Sequence, residues 1–316
     1  MTYDDERSVS LMFGGSNRQG KLNDLWGWDG QRWRLLSSSG PSARDSLVLA
    51  FDSRRKKAVL HGGRAADGLR DDTWEWDGTR WTERQVTGPG LRLHHAGAYD
   101  PGRGRLVVYG GLRPMDKTVR PLTDTWEYDG ETWTRRDTVG VPVFVSSMTY
   151  DPRRGQIVLL GVEGMAEQEG VRRTGMWTWD GTRWSSVSSG FGEPALSPMP
   201  PLAATPAGLL LLDGGIVQGS TPFTWLRQSD RWTQGKAAPP VPQRVSHALA
   251  YDSRRKRVVM FGGHSGFGPG RTGEMFGDTW EWTGEAWERV HPRIAPGVSL
   301  SAPTGSILRS WPASSP

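Results

Sequence analysis

The 316-residue sequence contains no cysteine. Disulfide bonds, thiolate metal sites and cysteine nucleophiles are therefore excluded. It also lacks a long apolar run, because no window approaches 18 consecutive apolar residues, and we predict no membrane-spanning helix. The N-terminus, Met1 to Arg7, is acidic and has no apolar segment of signal-peptide length. We therefore expect a cytoplasmic protein, with the alternative that the true start lies upstream and a signal peptide is missing.

The formal net charge is +5 and the sequence pI is about 9.7. Spread over the whole chain, this excess is a weak indication of nucleic-acid binding. The basic residues gather in short turns that lack the interleaved aromatic side chains expected of a single-strand binder. Solvated hairpin turns explain them better, so we do not expect nucleic acid as the partner. The turns are Arg54 to Lys57, Arg103 to Arg105, Arg153 to Arg154 and Arg254 to Arg257.

Seventeen tryptophans are abundant for this length, and their placement reveals an internal repeat. A glycine pair or its relic recurs in five steps of about 50 residues. Its positions are Gly14, Gly62, Gly110, Gly161, Gly214 and Gly262. A tryptophan pair follows each time, as Trp26/Trp33, Trp74/Trp81, Trp126/Trp133, Trp177/Trp184, Trp225/Trp232 and Trp280/Trp287.

Each repeat divides into four short strands. An inner strand leads to a Tyr-Asp turn, and a nearly continuous apolar strand then runs into the glycine pair, as in Leu106 to Tyr109. The third strand alternates, as in Thr73 to Trp76, and the Asp77-Gly78 turn after it is a strong hairpin signal. One such sheet cannot bury both its faces, so the sheets must stack around an axis.

The glycine pair, the aromatic-x-aromatic-Asp strand and the following tryptophan resemble the kelch-repeat family, in the galactose-oxidase-like type of propeller. The resemblance spans about residues 3–302 and implies an all-β fold. It implies a six-bladed β-propeller of four-stranded antiparallel blades over 1–302, followed by a flexible Ser/Pro-rich tail over 303–316. The fifth repeat departs most, with Thr205-Pro206 in place of Tyr-Asp and Leu226 in place of the second aromatic. We expect its inner hairpin to be irregular.

The first Tyr-Asp turn is Tyr3-Asp4, which leaves blade one without an inner strand of its own. Residues 298–301 follow Trp287 at nearly the distance at which inner strands follow the earlier tryptophans. We therefore predict that the ring is closed by a C-terminal strand, as in similar kelch propellers. The alternative is again an upstream start.

Loop length varies mainly on one face of the predicted ring, in residues 64–71, 112–123, 162–175, 216–222 and 264–277. Recognition commonly lies in variable loops on a rigid scaffold, so we place the ligand site at this mouth of the channel.

Arg44, Arg92 and Arg244 share one repeat position there. Resemblance to kelch adaptors of ubiquitin ligases implies that they bind acidic peptides, and guanidiniums suit carboxylates or phosphates. The alternative is that each pairs with a carboxylate such as Asp72, Asp124 or Asp278.

Catalytic candidates are weak. His95 and His247 share a repeat position, and His264 and Glu274 share the long sixth loop. Histidines could act as acid–base groups, or could simply be hydrogen-bonded between blades. Galactose-oxidase-like copper chemistry needs a cysteine cross-linked to tyrosine, which this chain cannot supply. We expect no cofactor and no metal.

Two functions remain after these exclusions. The first is a non-enzymatic binding module, expected to be monomeric, whose mouth recognises an acidic peptide, a protein loop or an anionic small molecule. The alternative is a small-molecule enzyme of the sialate-epimerase-like type acting in the same mouth. Fold alone does not decide between them.

Overall fold

The computed structural model describes residues 1–115, 119–136, 141, 143–163, 173–187, 200–213, 223–228, 231–235, 241–268, 271–292 and 296. These residues form strands and connecting turns, with no helix among them. Six separate antiparallel sheets contain four strands each, as the repeat predicts. Within the described ranges there is accordingly no helix long and apolar enough to cross a membrane.

We number the sheets as blades 1 to 6 in chain order. Blades 1 and 2 comprise β1 (Thr2–Asp4), β2 (Val9–Phe13), β5 (Leu25–Trp28) and β6 (Trp33–Ser37), then β7 (Val48–Asp52), β8 (Lys57–Ala65), β9 (Gly68–Trp76) and β10 (Trp81–Arg84). Blades 3 and 4 comprise β11 (Ala96–Asp100), β12 (Arg105–Tyr109), β15 (Thr125–Tyr128) and β16 (Trp133–Arg136), then β17 (Val143–Asp151), β18 (Gln156–Glu163), β19 (Arg173–Trp179) and β20 (Trp184–Val187). Blades 5 and 6 comprise β21 (Leu202–Thr205), β22 (Gly208–Asp213), β23 (Phe223–Gln228) and β24 (Arg231–Gln234), then β25 (Ala248–Asp252), β26 (Arg257–Phe261), β29 (Thr279–Trp282) and β30 (Trp287–Val290).

Three further two-stranded hairpins project between the second and third strands of their blades. They are β3 (Ser16–Asn17) with β4 (Gly20–Lys21), β13 (Leu112–Pro114) with β14 (Val119–Pro121), and β27 (Phe267–Gly268) with β28 (Arg271–Thr272). In blade 2 the strands β8 and β9 themselves extend into such a hairpin.

The first strand of each blade is the innermost, since these six strands contact one another around the ring. Strand β1 contacts both β7 and β25, so blade 1 lies between blades 2 and 6. Side chains repeat this closure: Trp28 donates its indole N–H to Glu281 at 2.9 Å. The six blades therefore form a closed ring.

Blade 1 requires a correction. The sequence predicted that it lacks its own inner strand, but Thr2–Asp4 forms one, pairing Thr2 with Leu11 and Asp4 with Val9. The inner strand of blade 1 ends in Tyr3-Asp4, as those of blades 2 and 6 end in Phe51-Asp52 and Tyr251-Asp252. Only Thr2 precedes the dipeptide in blade 1, and these three residues are enough to form the strand. The predicted C-terminal closing strand, 298–301, and the tail, 303–316, lie outside the described residues.

Blade 5 is regular, contrary to expectation. Thr205 pairs with Gly208 across a two-residue turn, and the register runs without a shift to Leu202 and Leu211. The proline and alanine shorten the turn and leave the ladder intact. In the third strand the place of the second aromatic residue is taken by Arg227 and not by Leu226. Arg227 pairs with Leu209 in blade 5, just as Trp76, the second aromatic residue of blade 2, pairs with Ala58.

The hydrophobic core consists of clusters between neighbouring blades. Each second strand is almost wholly buried, as in Leu106 to Tyr109. Tryptophans at the ends of third strands and the starts of fourth strands complete the packing, and Trp28, Trp33, Trp76 and Trp179 are at most 1% exposed. These aromatic side chains therefore act chiefly as core, since each buries a large apolar area.

The basic turns opposite the mouth are largely ion-paired within the scaffold. Arg55 bridges Asp52 of its own turn and Glu75 of the third strand. Arg103 likewise pairs with Glu127 at 2.6 Å, and Arg255 with Glu281 at 2.6 Å. Much of the positive charge on this face is thus neutralised by buried carboxylates.

Candidate functional site

The mouth face is built from the projecting hairpins and from the segments that enter each inner strand. Antiparallel bridges tie the two together, as between Asp45 and Arg64, Leu93 and Leu112, and Val245 and His264. The predicted loops 162–175 and 216–222 lie largely outside the described residues. The described mouth therefore belongs mainly to blades 1, 2, 3 and 6.

Arg44, Arg92 and Arg244 occupy equivalent places at the mouth, but their side chains are at most 1% exposed. Each guanidinium binds an aspartate of its own blade through two nitrogens. The aspartates are Asp72 (2.5 and 2.9 Å), Asp124 (2.9 and 3.0 Å) and Asp278 (2.6 and 3.0 Å). Each also donates to the carbonyl of the first glycine of the pair, at Gly62, Gly110 and Gly262.

This arrangement holds the entering segment against its own blade. Burial alone would raise the pKa of Asp124, but hydrogen bonding and charge from Arg92, with the indole N–H of Trp126, hold it below its usual value. The same balance lowers the pKa of Asp72 and Asp278. The geometry therefore matches the alternative of carboxylate pairing. A direct role for the three arginines in ligand binding stays a prediction.

His95 and His247 lie buried between blades, at 8% and 6% exposure. The ring of His95 packs against Gly62 of the preceding blade and lies 5.8 Å from the ring of His61. Burial lowers the pKa of His247 to about 3, and that of His95 well below its usual value. Both rings are thus neutral over the physiological pH range.

His264 is 3% exposed and its two ring nitrogens have different partners. The backbone N–H of Gly266 donates to Nδ1 at 3.1 Å, and Nε2 lies 3.2 Å from the hydroxyl of Ser246. Because Nδ1 is an acceptor, the neutral ring carries its proton on Nε2, which donates to the serine. The imidazole therefore does not serve as a base towards this hydroxyl.

Glu274 is exposed, and its backbone carbonyl, rather than its carboxylate, bonds the N–H of Ser265. The structure does not bring a carboxylate and a histidine from the predicted set together. Among the described residues, no group of three or more histidine or acidic side chains has the spacing of a metal site.

The sequence reasoning missed an exposed surface on blade 3, which we call the blade 3 crest: Leu91, Arg113, Met115 and Arg120. Arg113 and Arg120 lie directly opposite each other across β13 and β14. Both are exposed, and neither forms an ion pair with any described residue. Leu91 and Met115 are 46% and 57% exposed. The guanidinium of Arg113 approaches Gly90, which places the leucine segment beside it.

The crest combines two features that are unfavourable on a water-exposed surface. Like charges directly opposite each other in a sheet are unfavourable, and large exposed apolar side chains are rare on soluble proteins when they cluster. Only the alternation of Arg and apolar residues in loop 112–123 could have signalled it from the sequence.

Of the other cations at the described mouth, three are already engaged, and Arg18 is exposed on the blade 1 hairpin, which carries no large exposed apolar side chain. Lys21 of blade 1 and Arg64 of blade 2 both pair with Asp45, which is 3% exposed. Arg70 pairs with Asp67 at 2.6 Å across the tip of the blade 2 hairpin. The crest is therefore the described part of the mouth where cationic groups are open to a ligand alongside apolar ones.

No protein-family model matches the chain, and no curated protein matches its sequence. Solved structures do match. One of them, titled "Structure of YjhT", superposes with a TM-score of 0.59 at 13% identity, covering 90% of this chain and 97% of that one. The chain is a six-bladed β-propeller. A likeness at this identity shows the fold alone, so the function of this propeller must be argued from its own residues.

Proposed function

We propose that this propeller is a non-enzymatic binding module whose mouth recognises an acidic peptide or protein loop, or another anionic ligand with apolar parts. The observation that carries the proposal is the blade 3 crest, where Arg113 and Arg120 stand opposite each other and neither pairs with a carboxylate of the described residues. A carboxylate or phosphate between the two guanidiniums would relieve their repulsion and form charge-assisted hydrogen bonds.

The apolar members of the crest narrow the class of ligand. Leu91 and Met115 offer a flexible apolar contact next to the two charges. Methionine adapts to partners of different shape, and a peptide that alternates acidic and apolar side chains would use both kinds of contact. Arg92 fixes the segment that carries Leu91 against blade 3, and Arg44 and Arg244 fix the equivalent segments of blades 2 and 6.

We further propose that the repeat is of the kelch type. The support is the recurrence of the glycine pair at positive φ, 65° and 107° in blade 2 and 75° and 94° in blade 6. The same blades share the third-strand Trp-Glu-Trp pattern and a tryptophan that begins the fourth strand. Binding is a common use of such scaffolds, but the assignment of function rests on the crest and not on the family.

The experiment is fluorescence anisotropy with two labelled twelve-residue peptides, one alternating Glu and Leu and the other alternating Lys and Leu. We expect saturable binding of the acidic peptide only, weakening as salt is raised. The double substitution Arg113→Glu/Arg120→Glu should reduce its affinity by about 100-fold, since two charge-assisted contacts become repulsive.

The matched control is Arg135→Glu, an exposed arginine on β16 of the same blade but away from the crest. It changes the net charge in the same direction and should leave affinity within about threefold. Equal losses in both variants, or equal binding of the two peptides, would overturn the proposal.

A further inference from the structure

The carboxylate of Asp24 in blade 1 lacks the arginine that its counterparts bind. It precedes the first tryptophan of its third strand by two residues, as Asp72, Asp124 and Asp278 do, and its Oδ2 accepts the indole N–H of Trp26 at 2.5 Å. Its Oδ1 is buried and has no hydrogen-bond partner among the described residues. In blades 2, 3 and 6 the Oδ1 atom of the equivalent aspartate accepts a guanidinium N–H.

The glycine that binds the guanidinium in those blades also has a counterpart in blade 1. In blades 2, 3 and 6 the guanidinium is shared between the aspartate and the carbonyl of the first glycine of the pair. Gly14 is that glycine in blade 1, with φ of 65°, matching 65°, 64° and 75° at the other three. Its N–H bonds the Asp24 carbonyl at 3.0 Å, as the N–H of Gly110 bonds that of Asp124 at 3.1 Å.

The repeat itself does not supply an arginine to this position. Arg44 and Arg92 follow a buried proline by three residues, and the buried proline after blade 6 is Pro296. Three residues beyond it the sequence has Ser299. A buried carboxylate oxygen left unsatisfied is costly and calls for a missing partner.

We propose that Asp24 and Gly14 form a guanidinium-binding site at the mouth of blade 1, complementary to an arginine-like group. The group comes either from a separate ligand or from an arginine of the C-terminal segment, Arg293 or Arg309. A planar guanidinium fits because it bonds both the carboxylate and the carbonyl in one plane, which an ammonium does not. This inference does not depend on the proposed function of the crest.

The test is a calorimetric titration of the full chain with agmatine, beside 1,4-diaminobutane, which carries the same charge of +2 but has an ammonium group in place of the guanidinium. Two further proteins are titrated: Asp24→Asn, and the double variant Arg293→Ala/Arg309→Ala. Asp67→Asn is the matched control, since it removes another mouth carboxylate that already has its arginine.

If the natural ligand is a separate molecule, agmatine should bind the wild-type chain. If an arginine of the C-terminal segment occupies the site, agmatine should bind only the double arginine variant. In either case Asp24→Asn, introduced into whichever protein binds, should weaken binding by at least about tenfold, and Asp67→Asn should leave it unchanged. The proposal fails if neither protein binds agmatine, or if 1,4-diaminobutane binds equally.

A gain-of-function variant keeps the proposal testable should Asp24→Asn fail to fold. Ser299→Arg places an arginine at the repeat position, 12 residues after Trp287 as Arg244 is 12 after Trp232. It should raise the thermal midpoint by about 4 °C and abolish agmatine binding. A midpoint that stays the same or falls would count against the site.

Discussion

Trp33 and Thr279 are 246 residues apart in the sequence, yet the indole N–H of one donates to the hydroxyl of the other at 2.9 Å. The bond joins blade 1 to blade 6 and closes the ring. Equivalent bonds join blade 3 to 2, blade 4 to 3 and blade 6 to 5, through Trp133, Trp184 and Trp287. Closure therefore uses the same contact as three of the other junctions.

Thr279→Val should destabilise the propeller by about 1–3 kcal/mol, because it leaves the buried indole N–H of Trp33 without an acceptor. Both residues are at most 1% exposed. Urea denaturation followed by tryptophan fluorescence measures the change. Thr134→Val, on an exposed position of β16, is the control and should change stability by less than about 0.5 kcal/mol. Equal effects would show that the bond does not contribute to closure.

The pair of Arg92 and Asp124 gives a second prediction. Asp124→Asn leaves a guanidinium that is 0% exposed without its counter-charge, which should cost about 3–5 kcal/mol. Adding Arg92→Met should recover part of that loss, since the uncompensated charge is then gone, with a coupling of about 1–3 kcal/mol. Asp67→Asn, whose partner Arg70 is more exposed, should leave the free energy of unfolding nearly unchanged.

The same variants test whether Arg92 contacts a ligand. If a folded Arg92→Met protein loses affinity for the acidic peptide while Asp124→Asn keeps it, the arginine binds directly. If both keep it, the pair only supports the mouth.

The sequence was sufficient for the blade count and the strand order, because the glycine pair and the tryptophans mark every blade. It offered the pairing of Arg44 with Asp72 as an alternative but did not decide between that pairing and ligand binding, since only folding brings the two residues, 28 apart in the sequence, together. The one-residue shift at Leu226 and Arg227 arose for a similar reason. Without a second aromatic, only the pairing with Leu209 fixes the register. The crest depends on which side chains remain unpaired, which spacing does not reveal.

Acid should destabilise the fold before any carboxylate is protonated. Burial lowers the pKa of His61 and of His247 to about 3 in the folded chain, against 6.5 when unfolded. The unfolded state therefore binds more protons below pH 6.5, and stability falls with pH by about 1.4 kcal/mol per unit for each such histidine. Carboxylates with a lowered pKa, such as Asp72 and Glu75, lose their contribution only nearer pH 4 and below.

Denaturation between pH 7 and 5 isolates this histidine effect. His247→Gln should flatten the slope by the contribution of one proton, about 1.4 kcal/mol per pH unit. An unaltered slope in His247→Gln would mean that this ring titrates normally in the folded protein.

The turns opposite the mouth provide a last prediction, from two glycines with the same backbone and different neighbours. Gly130 and Gly284 have φ of 103° and 104°. A Cβ on Gly130 would meet the guanidinium of Arg55, whereas one on Gly284 would meet nothing within 4 Å. The difference follows from blade 5, whose Thr205–Gly208 hairpin carries no arginine to cover blade 6.

Gly284→Ala should therefore cost only the backbone strain of a positive φ, about 1 kcal/mol. Gly130→Ala should cost about 1–2 kcal/mol more, because it displaces Arg55 from Asp52 and Glu75. In an Arg55→Met background, where that guanidinium is absent, the two alanine variants should lose the same free energy of unfolding. A gap that persists there would assign the extra cost to the turn itself and not to the arginine of the neighbouring blade.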